Sequence, residues 1–420
     1  MGWLLILGIL AGGLGIPTAH AQPSTTPPPV SAPTSQPVSQ PVSEILPEAW
    51  NRYRQQFIQT DGRVIDREAN SRSISEAQAY AMWRAVLMAD RDTFDRVWRW
   101  GENNLNAGVR PTDSLWAWSW GQRPDQTWGV LDESVASDAD LDAALALIFA
   151  HRLWGSPPYL ERAQTKLRDL WTLCTATVQG ERLFLPGEVP LFTNTDVSPE
   201  RLFSGQGSLA LLPTAAPTTP QTYKLNPSYW GAYAFRIFAQ VDPDHDWTGL
   251  ADSSYRLLSR ILQASPAGLP PDWLQIEIAS GRLLPIQSRP QENHYSFDAF
   301  RVWWRLALDA RYFSQSPAPQ LLKTHLAFLQ QRWQSQQQIP AVLTLQGDPV
   351  VDYPSTAQYG ALYPALVIIN PQMAEQIKTQ ALDPVYQDGI WDSDTAYYTQ
   401  NLVWMGLSAG ELPPSRLLTP

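Results

Sequence analysis

The chemistry on offer in this sequence is carried by carboxylates, which cluster at three places. The first is Glu76, in residues 73–82 (SISEAQAYAM). Ser73 stands three residues ahead of it, so the structural reading is a capping box in which the carboxylate bonds a backbone N–H and favours the positive end of a helix dipole. The second is Asp138, Asp140 and Asp142, three aspartates in five residues. Ser137 would cap a helix there, but a cap needs one acid, and three in one turn repel each other. A divalent cation is one way to gather them; no neighbouring carboxylate or histidine motif completes such a site. The third is Asp298, Arg301, Arg305 and Asp309, spaced 3, 4 and 4 residues apart among Trp and Leu. That spacing draws one polar stripe along a helix, and a stripe so enclosed is buried and must pair. It is either a structural ion-pair ladder or a carboxylate kept ionised by guanidinium groups.

Taken together, the three groups supply what glycosidic bond cleavage requires: a protonated carboxylic acid for a poor leaving oxygen, and a second carboxylate to activate water or attack. Serine-nucleophile elbows, phosphate-binding loops, dinucleotide-binding glycines and HExxH are absent from the sequence. The five histidines show no metal-ligand spacing, and a single cysteine, Cys174, excludes an internal disulfide and a cysteine-based metal centre. No cofactor and no metal is expected. The net charge of -10 argues against a nucleic-acid partner. Nineteen tryptophans in an acidic chain of 420 residues exceed what a core needs and suggest stacking surfaces for flat apolar faces such as sugar rings.

The elements that position these residues read as helices. Amphipathic 3.6-residue periodicity recurs over 75–100, 138–154, 159–172, 228–240, 250–263, 297–313, 318–334, 356–369 and 394–407, with Gly, Pro and Asn at the joins. Residues 182–197 and 277–291 lack it and leave room for short hairpins. No repeat of fixed length is present, so an α-solenoid and a closed ring of helical hairpins both remain open. Residues 3–15 are almost wholly apolar and are followed by the small-x-small site Ala19-His20-Ala21, as in a secretory signal cut after Ala21, although no Lys or Arg precedes the apolar run. An uncleaved anchor is the alternative. Residues 22–43 are built from Pro, Ser, Thr, Gln and Val with a lone Ala, and read as an extended linker. The expected organisation is a signal at 1–21, a linker at 22–43 and a single domain over 44–420.

Residues 136–155 (ASDADLDAALALIFAHRLWG) closely resemble the signature of glycoside hydrolase family 8, a family of bacterial endoglucanases, chitosanases, licheninases and xylanases. The segment around Glu76 matches the family's SEGQxYGM, with Ala77 and Ala81 in place of glycines. Residues 297–309 (FDAFRVWWRLALD) match its YDAxRxPWR, with Phe297 for Tyr and Trp303 where Pro is common. Residues 225–230 (LNPSYW) and 397–402 (YYTQNL) are further landmarks. The spacing is most similar to endoglucanases encoded beside bacterial cellulose synthase.

The resemblance implies an all-α (α/α)6 barrel with a few short strands in its loops, and an inverting mechanism. It also implies Glu76 as general acid, Asp298 as base and Asp138 as the residue that binds the distorted central sugar. Arg301 would hold the base ionised, and Trp118 and Tyr229 would bind substrate, with Trp116 and Trp120 nearby. A β-1,4-glucan is the implied substrate and cellulose synthase machinery an implied partner. The signal-like N-terminus sets the expected location in the periplasm or the medium, and a monomer is expected. Chitosan, which suits an acidic surface, is the second substrate. An inactive carbohydrate-binding barrel, a terpene-cyclase-like barrel using the aspartate triplet, and a solenoid scaffold are the competing readings.

Overall fold

A computed structural model describes residues 40–194, 221–411 and 415–419. The expected signal at 1–21 and most of the expected linker lie outside the described residues. The described helices divide by how much of their circumference is apolar. In α2 (Ser75–Leu87) every residue is buried, and in α4 (Ser137–Trp154) the first fourteen are. Alanines at 77, 79, 81 and 85, and at 139, 143, 144, 146 and 150, let neighbouring backbones approach. Helices apolar all round belong inside. The outer helices, such as α3 (Arg91–Gly101) and α7 (Trp247–Ala264), keep one polar face. The amphipathic reading of 138–154 is therefore corrected: α4 is enclosed on all sides.

The inner ring runs α2, α4, α6 (Ala232–Phe238), α8 (Phe300–Tyr312), α11 (Thr356–Ile369) and α13 (Tyr397–Ser408), each packed on the next. Outside them, α3 packs on α2, α5 (Pro157–Cys174) on α4, α7 on α6, α9 (Ala318–His325) on α8 with α10 (Ala327–Gln336) against α9, α12 (Pro371–Ile377) on α11, and α1 (Val42–Phe57) on α13. The ring closes where Arg84 of α2 donates to Asn401 Oδ1 of α13 at 3.2 Å and to the Ala49 carbonyl of α1 at 3.2 Å. The fold is an all-α (α/α)6 barrel, as expected, and the solenoid reading is excluded.

Several boundaries differ from expectation for local reasons. The single helix over 75–100 is two, because Ala89 takes a positive φ of 54° and Asp90 caps α3 by accepting from Thr93 N at 3.1 Å. The stretch 228–240 opens as a 3-10 turn, Pro227–Tyr229, and is α-helical only over Ala232–Phe238. The helix α1 begins inside the expected linker and carries Pro47. Strand content is larger than periodicity suggested. β1 (Ser73–Ile74), β2 (Ala117–Gln122) and β3 (Trp128–Val135) form one antiparallel sheet. Each stretch expected to hold a hairpin supplies a strand to one, Thr175–Val178 with Glu181–Phe184 and Leu274–Glu277 with Leu283–Leu284. Among the described residues no helix is long and apolar enough to cross a membrane.

The tightest seam of the ring lies between α11 and α13. A Cβ on Gly406 would sit 1.9 Å from the Gly360 carbonyl oxygen, which cannot yield without breaking α11. Gly406→Ala is expected to cost about 1–3 kcal/mol by overpacking and to lower the melting temperature by several degrees in a thermal scan. An unchanged melting temperature would show that the seam opens freely.

Candidate active site

The site is assembled from the first turns of three inner helices. β1 pairs with β2, Ser73 opposite Trp120 and Ile74 opposite Ser119, and runs straight into α2. Glu76 therefore follows a strand pinned to a tryptophan-bearing hairpin. β3 leads to α4 and Asp138, and Asp298 stands two residues before α8, which begins at Phe300 and carries Arg301.

The capping roles considered for Ser73 and Ser137 do not hold. The Ser73 hydroxyl donates to the Val64 carbonyl at 2.6 Å and receives Arg63 Nε at 2.8 Å. That of Ser137 donates to the Leu185 carbonyl at 2.6 Å. Neither helix start has a side-chain cap, and both acids are left for other work.

Each aspartate of the triplet has its own cation. Asp138 Oδ2 receives Arg301 at 2.8 Å, Asp140 Oδ1 receives Lys166 at 2.6 Å, and Asp142 receives both Arg305 terminal nitrogens at 3.0 Å. A shared cation is unnecessary, and among the described residues no group of three potential ligands could hold a metal. The stripe on α8 resolves similarly. Arg301 also binds Asp298 Oδ1 at 2.7 Å, while Asp309 turns away to Arg236 at 3.2 Å and the Tyr255 hydroxyl at 2.5 Å. The two open readings of the stripe thus divide along the helix, structural pairing at Arg305 and Asp309, a shared carboxylate grip at Arg301.

Glu76 is 5% exposed. Burial first, then the negative charge of Asp138, pushes its pKa up to about 8. Asp138 is also raised by burial, to about 6, against the pull of Arg301 and Arg305. Of the two, Glu76 is raised further and Asp138 is held back by its cations, so Glu76 is the acid that keeps its proton toward neutral pH. Asp138 Oδ1 is buried without a hydrogen-bond partner, so one acceptor lone-pair site is uncommitted. Asp298 is more open, its side chain 24% exposed. An enclosed protonated acid and a more accessible carboxylate share one guanidinium neighbourhood.

The expected binding residues fall in different surroundings. Trp118 is half-buried, with the Arg72 guanidinium 5.4 Å from its ring. Trp120 is half-buried and stacks on exposed Trp128 at 5.4 Å. Trp116 is fully enclosed and donates to Glu102 at 3.2 Å, which removes it as a stacking surface. Tyr229 is nearly enclosed, 5.5 Å below Arg301, and its hydroxyl is pushed well up by burial and then by Asp138, Glu76 and Asp298. It underlies the carboxylates.

Sequence reasoning missed four further groups. Ser228 receives Arg301 through its hydroxyl at 2.9 Å and Arg305 through its carbonyl at 2.7 Å. The Tyr80 hydroxyl, one turn beyond Glu76, meets Arg301 at 3.2 Å. Trp273 Nε1 donates to Asp298 Oδ2 at 2.9 Å, and Asp272 bonds the segment around Asp298. Ser228 lies inside LNPSYW, so that segment was a usable signal; nothing local marks Asp272 or Trp273.

The model of Glycosyl hydrolases family 8 matches residues 33–202 and 197–411. The chain belongs to this family. Relatives named endoglucanase include one from Xanthomonas axonopodis pv. citri (strain 306), 33% identical over 264 residues, covering 62% of this chain. Another, from Pseudomonas fluorescens (strain SBW25), is 31% identical over 265 residues with the same coverage. Each match spans 60% of the relative's own length. The crystal structure of an endo-1,4-D-glucanase from Vibrio fischeri ES114 superposes with a TM-score of 0.69 at 25% identity, covering 86% of this chain and 94% of that one. A family 8 endoglucanase from Klebsiella pneumoniae superposes at 0.65, with 25% identity and coverage of 86% and 98%.

The protonation pattern gives the sign of a pH effect. An acid that donates in the reaction works while it holds its proton, so kcat/KM is expected to fall as pH rises through about 8. Asp138→Asn removes the negative neighbour and is expected to move that alkaline limb to lower pH, along with any loss of rate. A pH profile of both proteins checks this; a limb that stays in place in the variant would remove Asp138 as a cause.

Proposed function

We propose that this protein is an exported endo-β-1,4-glucanase that cleaves internal bonds of cellulose or a related β-glucan with inversion. The observation that carries the reading is the grip of Arg301 on both Asp138 and Asp298, beside a Glu76 that holds its proton. Glu76 is the general acid: its proton goes to the glycosidic oxygen as the bond to the anomeric carbon breaks. Asp298 is the base that takes a proton from the attacking water, its two oxygens held by Arg301 and by the Trp273 indole N–H. Asp138 accepts a hydroxyl of the distorted sugar on its uncommitted Oδ1. Trp118 supplies a stacking face, and Tyr229 supports the guanidinium from below. Inversion calls for a water between base and sugar, with the carboxyl groups about 6.5–9.5 Å apart. The named activity of the relatives supports a glucan substrate. The apolar run at 3–15, followed by the small-x-small site at Ala19–Ala21, supports export to the periplasm or medium. Action as a monomer beside a cellulose synthase belongs to the same reading and rests on the spacing of the sequence landmarks.

Glu76→Gln is expected to abolish hydrolysis of cello-oligosaccharides while binding stays measurable by calorimetry; unchanged turnover would remove Glu76 from its role. Product followed by NMR should appear first as the α anomer from a β-linked glucan. Early β product would mean retention. Release of reducing ends from chitosan in preference to carboxymethylcellulose would move the substrate to the cationic polymer.

A further inference from the structure

The segment that carries Asp298 is held from outside its own helix by two consecutive residues. Asp272 Oδ1 accepts the backbone N–H groups of Ser296 at 3.1 Å and Ala299 at 2.8 Å, and its Oδ2 meets the Ser296 hydroxyl. The next residue, Trp273, donates its indole N–H to Asp298 Oδ2 at 2.9 Å. Asp272 N in turn donates to the His294 carbonyl at 2.7 Å, and Trp273 N to that of Glu292 at 2.8 Å. The approach to Asp298 is therefore tied along one side, from 292 to 299, by residues 272 and 273. Trp273 is itself wedged, with Lys224 4.3 Å from its ring centre and Tyr229 at 6.0 Å.

Asp272 is a buried carboxyl that touches no cation, which for a structural hydrogen-bond acceptor is an expensive choice. Ionised, it would stand beside the charge of Asp298. Burial first, and that charge second, push its pKa up to about 8. Both of its oxygens are engaged, Oδ1 by two backbone N–H groups and Oδ2 by the Ser296 hydroxyl. We infer that Asp272 and Trp273 are positioning residues, a hydrogen-bonded clamp that sets the place of the Asp298 carboxylate. This rests on Asp298 being the base proposed above.

A clamp that works through hydrogen bonds has a specific signature: an amide can replace the acid. Asp272→Asn keeps an acceptor oxygen for both N–H groups and a donor for Ser296. Asp272→Ala keeps neither. Hydrogen exchange of a peptide covering 296–299 is expected to rise at least tenfold in the Ala variant and to stay near wild type in the Asn variant. On cello-oligosaccharides, kcat is expected to fall at least tenfold in Asp272→Ala with KM within about twofold, and to be retained within about threefold in Asp272→Asn. Trp273→Phe, which keeps a ring and loses only the N–H end, should lower kcat without raising KM, and serves if Asp272→Ala does not fold. Wild-type protection at 296–299 in Asp272→Ala, or wild-type kcat in both Asp272→Ala and Trp273→Phe, would overturn the inference while leaving the hydrolase reading intact. An Asn variant as impaired as the Ala variant would also overturn it, by showing that charge is what matters. If wild-type protein shows no hydrolysis, the function reading fails, and the exchange data still decide whether Asp272 holds the segment.

Discussion

One guanidinium answers to two carboxylates, and the rest of the site is arranged around that constraint. Arg301 reaches Asp138 of α4 and Asp298 ahead of α8 with separate terminal nitrogens, a task for a planar fork and not for a point charge such as lysine. Its burial is tolerable only because both partners are in place; removing one partner of a buried pair typically costs about 3–5 kcal/mol. One helical turn deeper, Arg305 repeats the pairing with Asp142. Because 138 and 142 are one turn apart on α4, as 301 and 305 are on α8, the lower rung fixes the rotation and height of one helix against the other. The upper rung then has no freedom to drift. Two of the aspartates that resemble a metal cluster, Asp138 and Asp142, are in fact a registration device between α4 and α8.

The same arrangement explains how two enclosed carboxyls in one neighbourhood hold different protonation states. Both Glu76 and Asp138 are pushed upward by burial. Asp138 takes the direct bond to Arg301 and feels Arg305 behind it; Glu76 feels Arg301 only at longer range and feels Asp138 as a like charge. The cation's bias toward one acid leaves the other neutral. Environments that separate the pKa values of neighbouring acids are how one site provides an acid and an anion at the same pH.

Residue types alone revealed the acids, the stripe on α8 and most inner helices, because helical period and unusual charge in apolar company are local signals. Partner choice was not local. Asp140 finds Lys166 across 26 residues, and Asp138 and Asp142 find Arg301 and Arg305 across 163. Without those partners the triplet looked over-charged and invited a metal. The serines at 73 and 137 looked like caps because a cap is the commonest use of serine at a helix start; strand pairing at β1 and the Leu185 carbonyl claimed them first. The β2 strand was legible and passed over. Trp118 and Trp120 alternate with the small residues Ala117, Ser119 and Gly121, and burial alternates in step, the small residues buried and the tryptophans half-exposed. The Asp272–Trp273 grip was not legible, since it acts on a segment some 25 residues away through backbone groups that sequence does not display.

A comparison of two buried arginines shows why the catalytic end of the barrel can be recognised by its charges at all. Arg84, at the seam between α2 and α13, is fully enclosed and has no carboxylate partner; it faces carbonyl oxygens, Asn401 and the rings of Tyr53, Trp404 and Trp50. Burial lowers its pKa to about 9, and the neighbouring Tyr53 hydroxyl pulls it the other way. A closure made this way is held by dipoles and aromatic faces, which are insensitive to pH in the neutral range. The acids that could have neutralised it are concentrated at the helix starts instead, where Arg301 shares them. Had the seam used a carboxylate, the ring itself would titrate alongside the site. Keeping acids out of the seam separates holding the barrel shut from moving a proton, so the protonation of Glu76 can change without loosening the frame that positions it.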